Sequence, residues 1–170
     1  MIDKADIAVN QYLTFTLDGD LFALDIASVR EVLEYVSVTR IPRTPEFMRG
    51  VINLRGQAVP VVDLRLKFGM PRTEVDVNTC IIIVEAMVGG ELTVMGALAD
   101  SVREVVEIEP AAVEPPPRMG TRIDTTFIRG MARRDDLFVV VLDINRVFSE
   151  GELSAIRETG QPEKGEEQAA

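Results

Sequence analysis

The side chains best suited to chemistry are unevenly supplied in this 170-residue chain. Histidine is absent. That removes Ser-His-Asp and Cys-His nucleophilic catalysis and the usual proton shuttle near pH 7. One cysteine, Cys80, excludes an intramolecular disulfide. One Cys with no His also leaves no zinc site of the common kinds. No Gly-rich loop is followed by the Lys and Ser/Thr that would cradle a nucleotide's phosphates, and nothing resembles an Asp-rich calcium loop. The 28 acidic residues keep a two-carboxylate mechanism open. Such a mechanism needs a cleft, and the short strands read below offer only a shallow one. No cofactor is implied, and the chain reads as a binding module, not an enzyme.

The remaining charges are suited to recognition. Net charge is −10, which repels phosphate backbones and argues against nucleic acid. Residues 150–170 contribute six acids and two bases. Residues 40–72 run the other way, with seven bases (Arg40, Arg43, Arg49, Arg55, Arg65, Lys67, Arg72) and two acids (Glu46, Asp63). That stretch is either a solvated surface or a face that meets an acidic protein. Arg55 lies in the turn Asn53-Leu54-Arg55-Gly56. It is either a solvated side chain or a guanidinium that grips a carboxylate.

These residues must be positioned by strands. Tyr12–Leu17 alternates polar and apolar residues, Asp18-Gly19-Asp20 turns, and Leu21–Leu24 returns, a hairpin signature. Residues 34–39 and 50–54 read as strand. Gly56 supplies the positive φ of a turn, and Ala58–Val62 returns, with Pro60 pointing to an edge or bulge. Residues 79–85 and 92–98 flank Gly89-Gly90, and 102–108, 126–132 and 137–142 complete the set. Cys80 opens the apolar run Cys80–Val84 and is expected to be a buried, inert thiol. Asp63 and Asp143 precede short helical stretches and are expected as N-caps.

The chain repeats itself. Ser28-Val29-Arg30-Glu31-Val32 recurs letter for letter at Ser101–Val105, an offset of 73. Residues 47–68 align ungapped with 127–148 at an offset of 80, with Phe47, Arg49, Gly50, Val59, Val61, Asp63 and Phe68 identical to their counterparts. Two units of one topology follow. Five short strands per unit suit small closed barrels, each too small to bury a large core alone, so the two should pack across an apolar seam. Two interleaved lobes are expected, at about 15–80 and 81–148. At the hairpin tip the units differ: Arg55 aligns with Asp135. Val29 and Val32, with Val102 and Val105 as counterparts, face either the seam or a groove open to a partner helix. The N-terminus lacks the basic and apolar regions of a signal peptide, and no apolar run approaches the ~20 residues of a membrane span, so a cytoplasmic protein is expected. Glu150–Arg157 is expected to form helical turns, and residues 158–170 a disordered acidic tail.

Arg30–Leu33, Ile41–Gly50 and above all Gly50-Val51-Ile52-Asn53-Leu54-Arg55-Gly56 followed by Val59-Pro60-Val61-Val62-Asp63-Leu64 resemble the CheW family of bacterial chemotaxis coupling proteins. The resemblance spans about residues 10–157. It implies an all-β fold of two tandem SH3-like five-stranded barrels with short helices. It also implies an adaptor that couples the cytoplasmic tip of a chemoreceptor to the regulatory domain of a histidine kinase, meeting membranes only through receptors gathered in arrays. A regulatory adaptor of another motility or developmental pathway, or a peptide-binding barrel, is the alternative. Carried to this sequence, the receptor groove comprises Val29, Glu31, Val32, Gly50, Arg55, Cys80, Val102 and Val105. The kinase surface comprises Ile41, Pro42, Arg43 and Phe47.

Overall fold

The computed structural model describes residues 11–116 and 125–148. The N-terminus, the helical turns expected over Glu150–Arg157 and the expected acidic tail lie outside the described residues. Among the described residues there are eleven strands: β1 Gln11–Leu17, β2 Asp20–Asp25, β3 Val29–Glu34, β4 Met48–Leu54, β5 Gln57–Asp63, β6 Cys80–Val88, β7 Glu91–Ala99, β8 Ser101–Glu107, β9 Val113–Glu114, β10 Ile128–Arg134 and β11 Leu137–Leu142. Two single-turn helices, α1 Leu64–Lys67 and α2 Ile144–Val147, follow β5 and β11.

One sheet has the order β3-β6-β7-β5-β4 and the other β8-β1-β2-β11-β10-β9. The chain after β3 makes an isolated bridge from Thr39 to Val51 of β4. The chain after β8 likewise pairs β9 with β10. Each sheet thereby curls toward a closed five-stranded barrel, β8 and β9 serving as two pieces of one bent strand. Residues 35–38, expected as strand, form no part of the ladder; only Thr39 pairs.

The repeat is exact in register. Val61 lies opposite Gly96 in the parallel pairing of β5 with β7, and Val141 lies opposite Ala23 in that of β11 with β2. Those residues are related by the same offsets of 80 and 73. The strand assignment interleaves the two lobes, so no single cut near residue 80 separates them. β6 and β7 belong to the sheet of β3–β5, while β1 and β2 belong to the sheet of β8–β11. Each repeat gives its leading hairpin to the other barrel, because β1 pairs with β8 and β6 with β3.

Three apolar clusters result. Ile52, Val59, Val61, Ile81, Ile83 and Leu98 fill one barrel. Tyr12, Ala23, Val106, Ile108, Ala132, Val139 and Val141 fill the other. A larger third cluster is the seam, drawing Leu13, Phe15, Phe22 and Leu24 from one sheet and Ile82, Val84, Met95 and Ala97 from the other. Alternation explains this: odd and even residues of β6 face opposite sides, so the hairpin serves barrel and seam at once. Pro60 lies in an internal strand, not at an edge. It stands one residue before the ladder with β7 begins at Val61, so its missing N–H breaks no bond there.

Candidate functional site

The repeated pentapeptide opens both edge strands, lying wholly within β8 and entering β3 at Val29. In β3 the register slips between Val29 and Glu31, a bulge that puts Val29 opposite Val84 and Val32 opposite Ile82. Val84 and Ile82 both face the seam, so the two valines share that face despite their odd spacing. In β8, Val102 lies opposite Phe15 and Val105 opposite Leu13, again both seam residues. Val29 and Val102 pack against the seam cluster, whereas Val32 and Val105 are 40% and 49% exposed. The inner valine of each pair anchors its strand. The outer one remains free to touch something else.

Cys80 lies on the same face as Ile82, paired with Glu34 and Ala99. It is half-buried, not buried as expected, and its Sγ lies 3.3 Å from the Asn78 carbonyl. The apolar run proper begins one residue later, at Ile81. Glu31 is held by Arg55 through two hydrogen bonds, Nη1 to Oε1 at 3.3 Å and Nη2 to Oε2. The hydrogen bonds from Arg55 hold the Glu31 carboxyl below its ordinary pKa, and Glu31 raises that of Arg55. Arg55 and Gly56 both adopt positive φ, +49° and +87°, in a two-residue turn between Leu54 and Gln57. The Arg55 side chain stays 68% exposed even while paired.

Gly50 departs from this grouping. It is buried, and a Cβ there would stand 2.1 Å from the Thr39 carbonyl oxygen. Its counterpart Gly130 is crowded in the same way by Val113 and Glu114 of β9. Both glycines admit the strand that closes a barrel. Gly50 is therefore corrected from a groove contact to a scaffold residue.

Pro42 and Arg43 are exposed on the loop between β3 and β4, and Ile41 and Phe47 are half-buried. Arg43 holds a left-handed φ of +64°. Phe47 packs on the seam beneath the Lys67 ammonium, 4.5 Å from its ring centroid, and Phe127, the repeat counterpart, lies 5.3 Å from the same nitrogen. Burial lowers the Lys67 pKa to about 8. Of the seven bases in residues 40–72, three are spent internally. Arg49 donates to Asp63, Arg55 to Glu31 and Arg65 to Asp100. Arg40, Arg43 and Arg72 instead line one cavity of about 80 Å³, together with Ile41, Thr44, Pro45, Glu46, Met48 and Arg49.

Sequence reasoning left several lobe-to-lobe contacts unmarked. Arg65 of α1 meets Asp100, at the β7–β8 junction, and lies 3.9 Å from Asp18 in the β1–β2 turn. Asp100 also accepts the Asp18 N–H at 2.7 Å. The repeat counterpart of Arg65 is Asn145, which accepts the Met87 N–H at 2.7 Å from the other side of the seam. A signal was present: Arg65 and Asn145 occupy one position of the alignment yet differ in type, as contacts to non-equivalent hairpin ends require. Arg40 and Arg72 were counted in the basic stretch, but nothing in the spacing showed that they converge.

A profile of the CheW-like domain matches residues 11–152. The chemotaxis protein CheW of Klebsiella aerogenes is 32% identical over 146 residues, covering 86% of each chain. The protein FrzA of Myxococcus xanthus is 35% identical over 103 residues, 60% of this chain and 62% of that one. The crystal structure of the scaffolding protein TtCheW from Thermoanaerobacter tengcongensis superposes with a TM-score of 0.74 at 40% identity, covering 82% of this chain and 87% of that one. The fold of two SH3-like barrels is shared with that structure, and the chain belongs to the family of CheW-like domains.

Proposed function

We propose that this protein is a chemotaxis adaptor that joins the cytoplasmic tip of a chemoreceptor to the regulatory domain of a histidine kinase, working by binding alone. It would act in the cytoplasm and reach receptor arrays through these partners; among the described residues no helix is long and apolar enough to cross a membrane. The observation that carries the reading is the pair of edge strands. β3 and β8 each anchor one valine in the seam and leave a second exposed, so a receptor helix laid between them would find matching apolar rows, Val29 and Val32 against Val102 and Val105. Cys80 shares the β3 side of this surface. Glu31 lies opposite Ile83, on the barrel side of β3, and its ion pair with Arg55 of the β4–β5 turn would give a charged border beside the valine face. The kinase is placed at the loop carrying Ile41, Pro42, Arg43 and Phe47. Because both partners would rest on one rigid body, a shift in the receptor would bias the kinase's active and inactive populations.

Arg55→Asp puts two carboxylates side by side on an exposed turn, so it should weaken binding of a purified receptor-tip fragment while far-UV circular dichroism stays unchanged. The swapped double variant Glu31→Arg/Arg55→Glu separates two roles. Recovery of binding means the pair shapes the groove; continued loss means the Arg55 guanidinium itself grips the receptor. Wild-type affinity in Arg55→Asp and in a Val32→Asp/Val105→Asp variant would sink the assignment of this face.

A further inference from the structure

We propose that the cavity beside Arg40, Arg43 and Arg72 takes a single carboxylate side chain, Asp or Glu, presented by a partner protein. Among the described residues none of these three guanidiniums has an acidic group within ion-pair distance, whereas their neighbour Arg49 is held by Asp63 at 3.0 Å. Positive charge left over after internal pairing is therefore focused at one place on a chain whose total is −10. Guanidiniums are the groups best suited to clasp a planar oxyanion.

The size and chemistry of the cavity choose the ligand. A volume of about 80 Å³ holds roughly two to three waters, enough for a carboxylate and too little for a nucleotide. Ile41 and Pro45 give the methylene of an Asp or Glu an apolar wall. Glu46 also lines the cavity and opposes a phosphate dianion more strongly than a carboxylate monoanion. A polyanion such as nucleic acid would bring many further charges against an acidic surface. Arg43 holds a left-handed backbone in a loop, the kind of strained conformation that clusters at ligand clamps.

This deepens the reading of the Ile41–Phe47 loop as the kinase-facing surface. It rests on that reading for the partner's identity, but not for the chemistry of the cavity. The test is a titration of the ¹⁵N-labelled full chain at low ionic strength. Three probes are used: the capped peptide Ac-Ala-Glu-Ala-NH2, its Gln counterpart, and inorganic phosphate. The Glu peptide should shift the amide signals of Arg43, Thr44 and Glu46. Arg43→Ala and Arg72→Ala should each weaken it by up to about fivefold with the remaining spectrum unchanged. Glu46→Gln should tighten it. Equal shifts from the Gln peptide, tighter binding of phosphate than of the Glu peptide, or unchanged titration in both Arg variants would overturn the proposal. A second arm measures binding of the kinase regulatory domain. If the Arg variants lose the peptide but keep the kinase domain, the carboxylate site stands and the placement of the kinase at this loop falls.

Discussion

Asp63 and Asp143 occupy one position of the internal repeat, and the structure predicts very different costs for removing them. Asp63 is fully buried and accepts from Arg49 Nη1 at 3.0 Å, from Thr73 N and Oγ1 at 3.1 and 2.8 Å, and from the helical N–H groups of Arg65 and Leu66 at 3.1 and 3.4 Å. Asp143 accepts from Asn145 N at 3.2 Å and lies 3.6 Å from an exposed Arg146. The counterpart of Arg49 is Arg129, which turns instead toward Asp25 at 3.8 Å. Asp143→Ala should therefore lose a helix cap and little more, about 1 kcal/mol. Asp63→Ala loses the cap and also strands the Arg49 guanidinium, only 12% exposed, with the Thr73 carbonyl as its remaining acceptor. Breaking a buried pair from one side costs about 3–5 kcal/mol. That is a large share of the ~5–15 kcal/mol by which a domain is stable.

The chain has no Trp, so urea unfolding is followed by far-UV circular dichroism. With a slope of about 2 kcal/mol/M, Asp63→Ala should lower the midpoint by about 2 M and Asp143→Ala by about 0.5 M. Arg49→Met in the Asp63→Ala background should recover part of the loss, because it removes the stranded charge. Midpoints for the two Ala variants within about 0.5 M of each other would refute the reasoning. The repeat would then have conserved a cap at both places, and the buried ion pair would contribute nothing of its own.

Lys67 gives a pH signature. Its folded-state pKa is lowered from 10.5 to about 8, so between those values the unfolded chain binds the proton more tightly and stability rises with pH. The full shift corresponds to about 3 kcal/mol, which solvent screening of this half-buried group reduces to about 1 kcal/mol. Lys67→Met should flatten the difference in urea midpoint between pH 7 and 9.5, and an unchanged slope would show that Lys67 does not titrate there. Gly50→Ala should cost about 2–4 kcal/mol, since a Cβ meets the Thr39 backbone at 2.1 Å and φ is +143°. Gly56→Ala meets open space at a φ of +87° and should cost about 1 kcal/mol. Equal thermal midpoints for these two variants would remove the closing strand as the reason for Gly50.

The strands were legible because hairpin chemistry is local. Asp18-Gly19, Arg55-Gly56 and Gly89-Gly90 all take positive φ between runs of alternating residues. The seam was legible from energetics, since two units of this size cannot each bury enough apolar surface. Which strand joins which sheet was not legible, because strand exchange between equivalent repeats leaves every local pattern intact. Cys80 was read as buried since its neighbours are; only the edge position of β3 beside it opens its face. Gly50 was read as a surface contact because nothing in the sequence announces that Thr39 crosses it. Residues 35–38 include two valines yet join no ladder beyond one hydrogen bond from Tyr35 N–H to the Thr79 carbonyl, as a strand needs a partner in register and not propensity alone.

The exchange of hairpins bears on how an adaptor could carry a signal. Had each repeat folded on itself, the two barrels would meet only across a surface and could slide or separate. Here β1–β2 and β6–β7 leave their own repeats, and residues of both hairpins fill the seam. The equivalence of Leu13 with Ile82 and of Ala23 with Gly96 sets the strand offsets at 69 and 73, so the β6–β7 hairpin is four residues longer than its counterpart. The added length projects Met87 and Leu92, paired across the strands and both exposed. It also brings the Met87 N–H to Asn145 of α2. On the other side Arg65 reaches Asp100 and Asp18. Each helix that ends a repeat thus grips a hairpin or its junction with the next strand, and neither barrel can turn without repacking the common cluster. Packed cores respond to load by switching between discrete arrangements or by staying rigid. An adaptor of this construction would hold its partners at a fixed angle, and any change of signal would have to arise in the partners or at the two edge strands they touch.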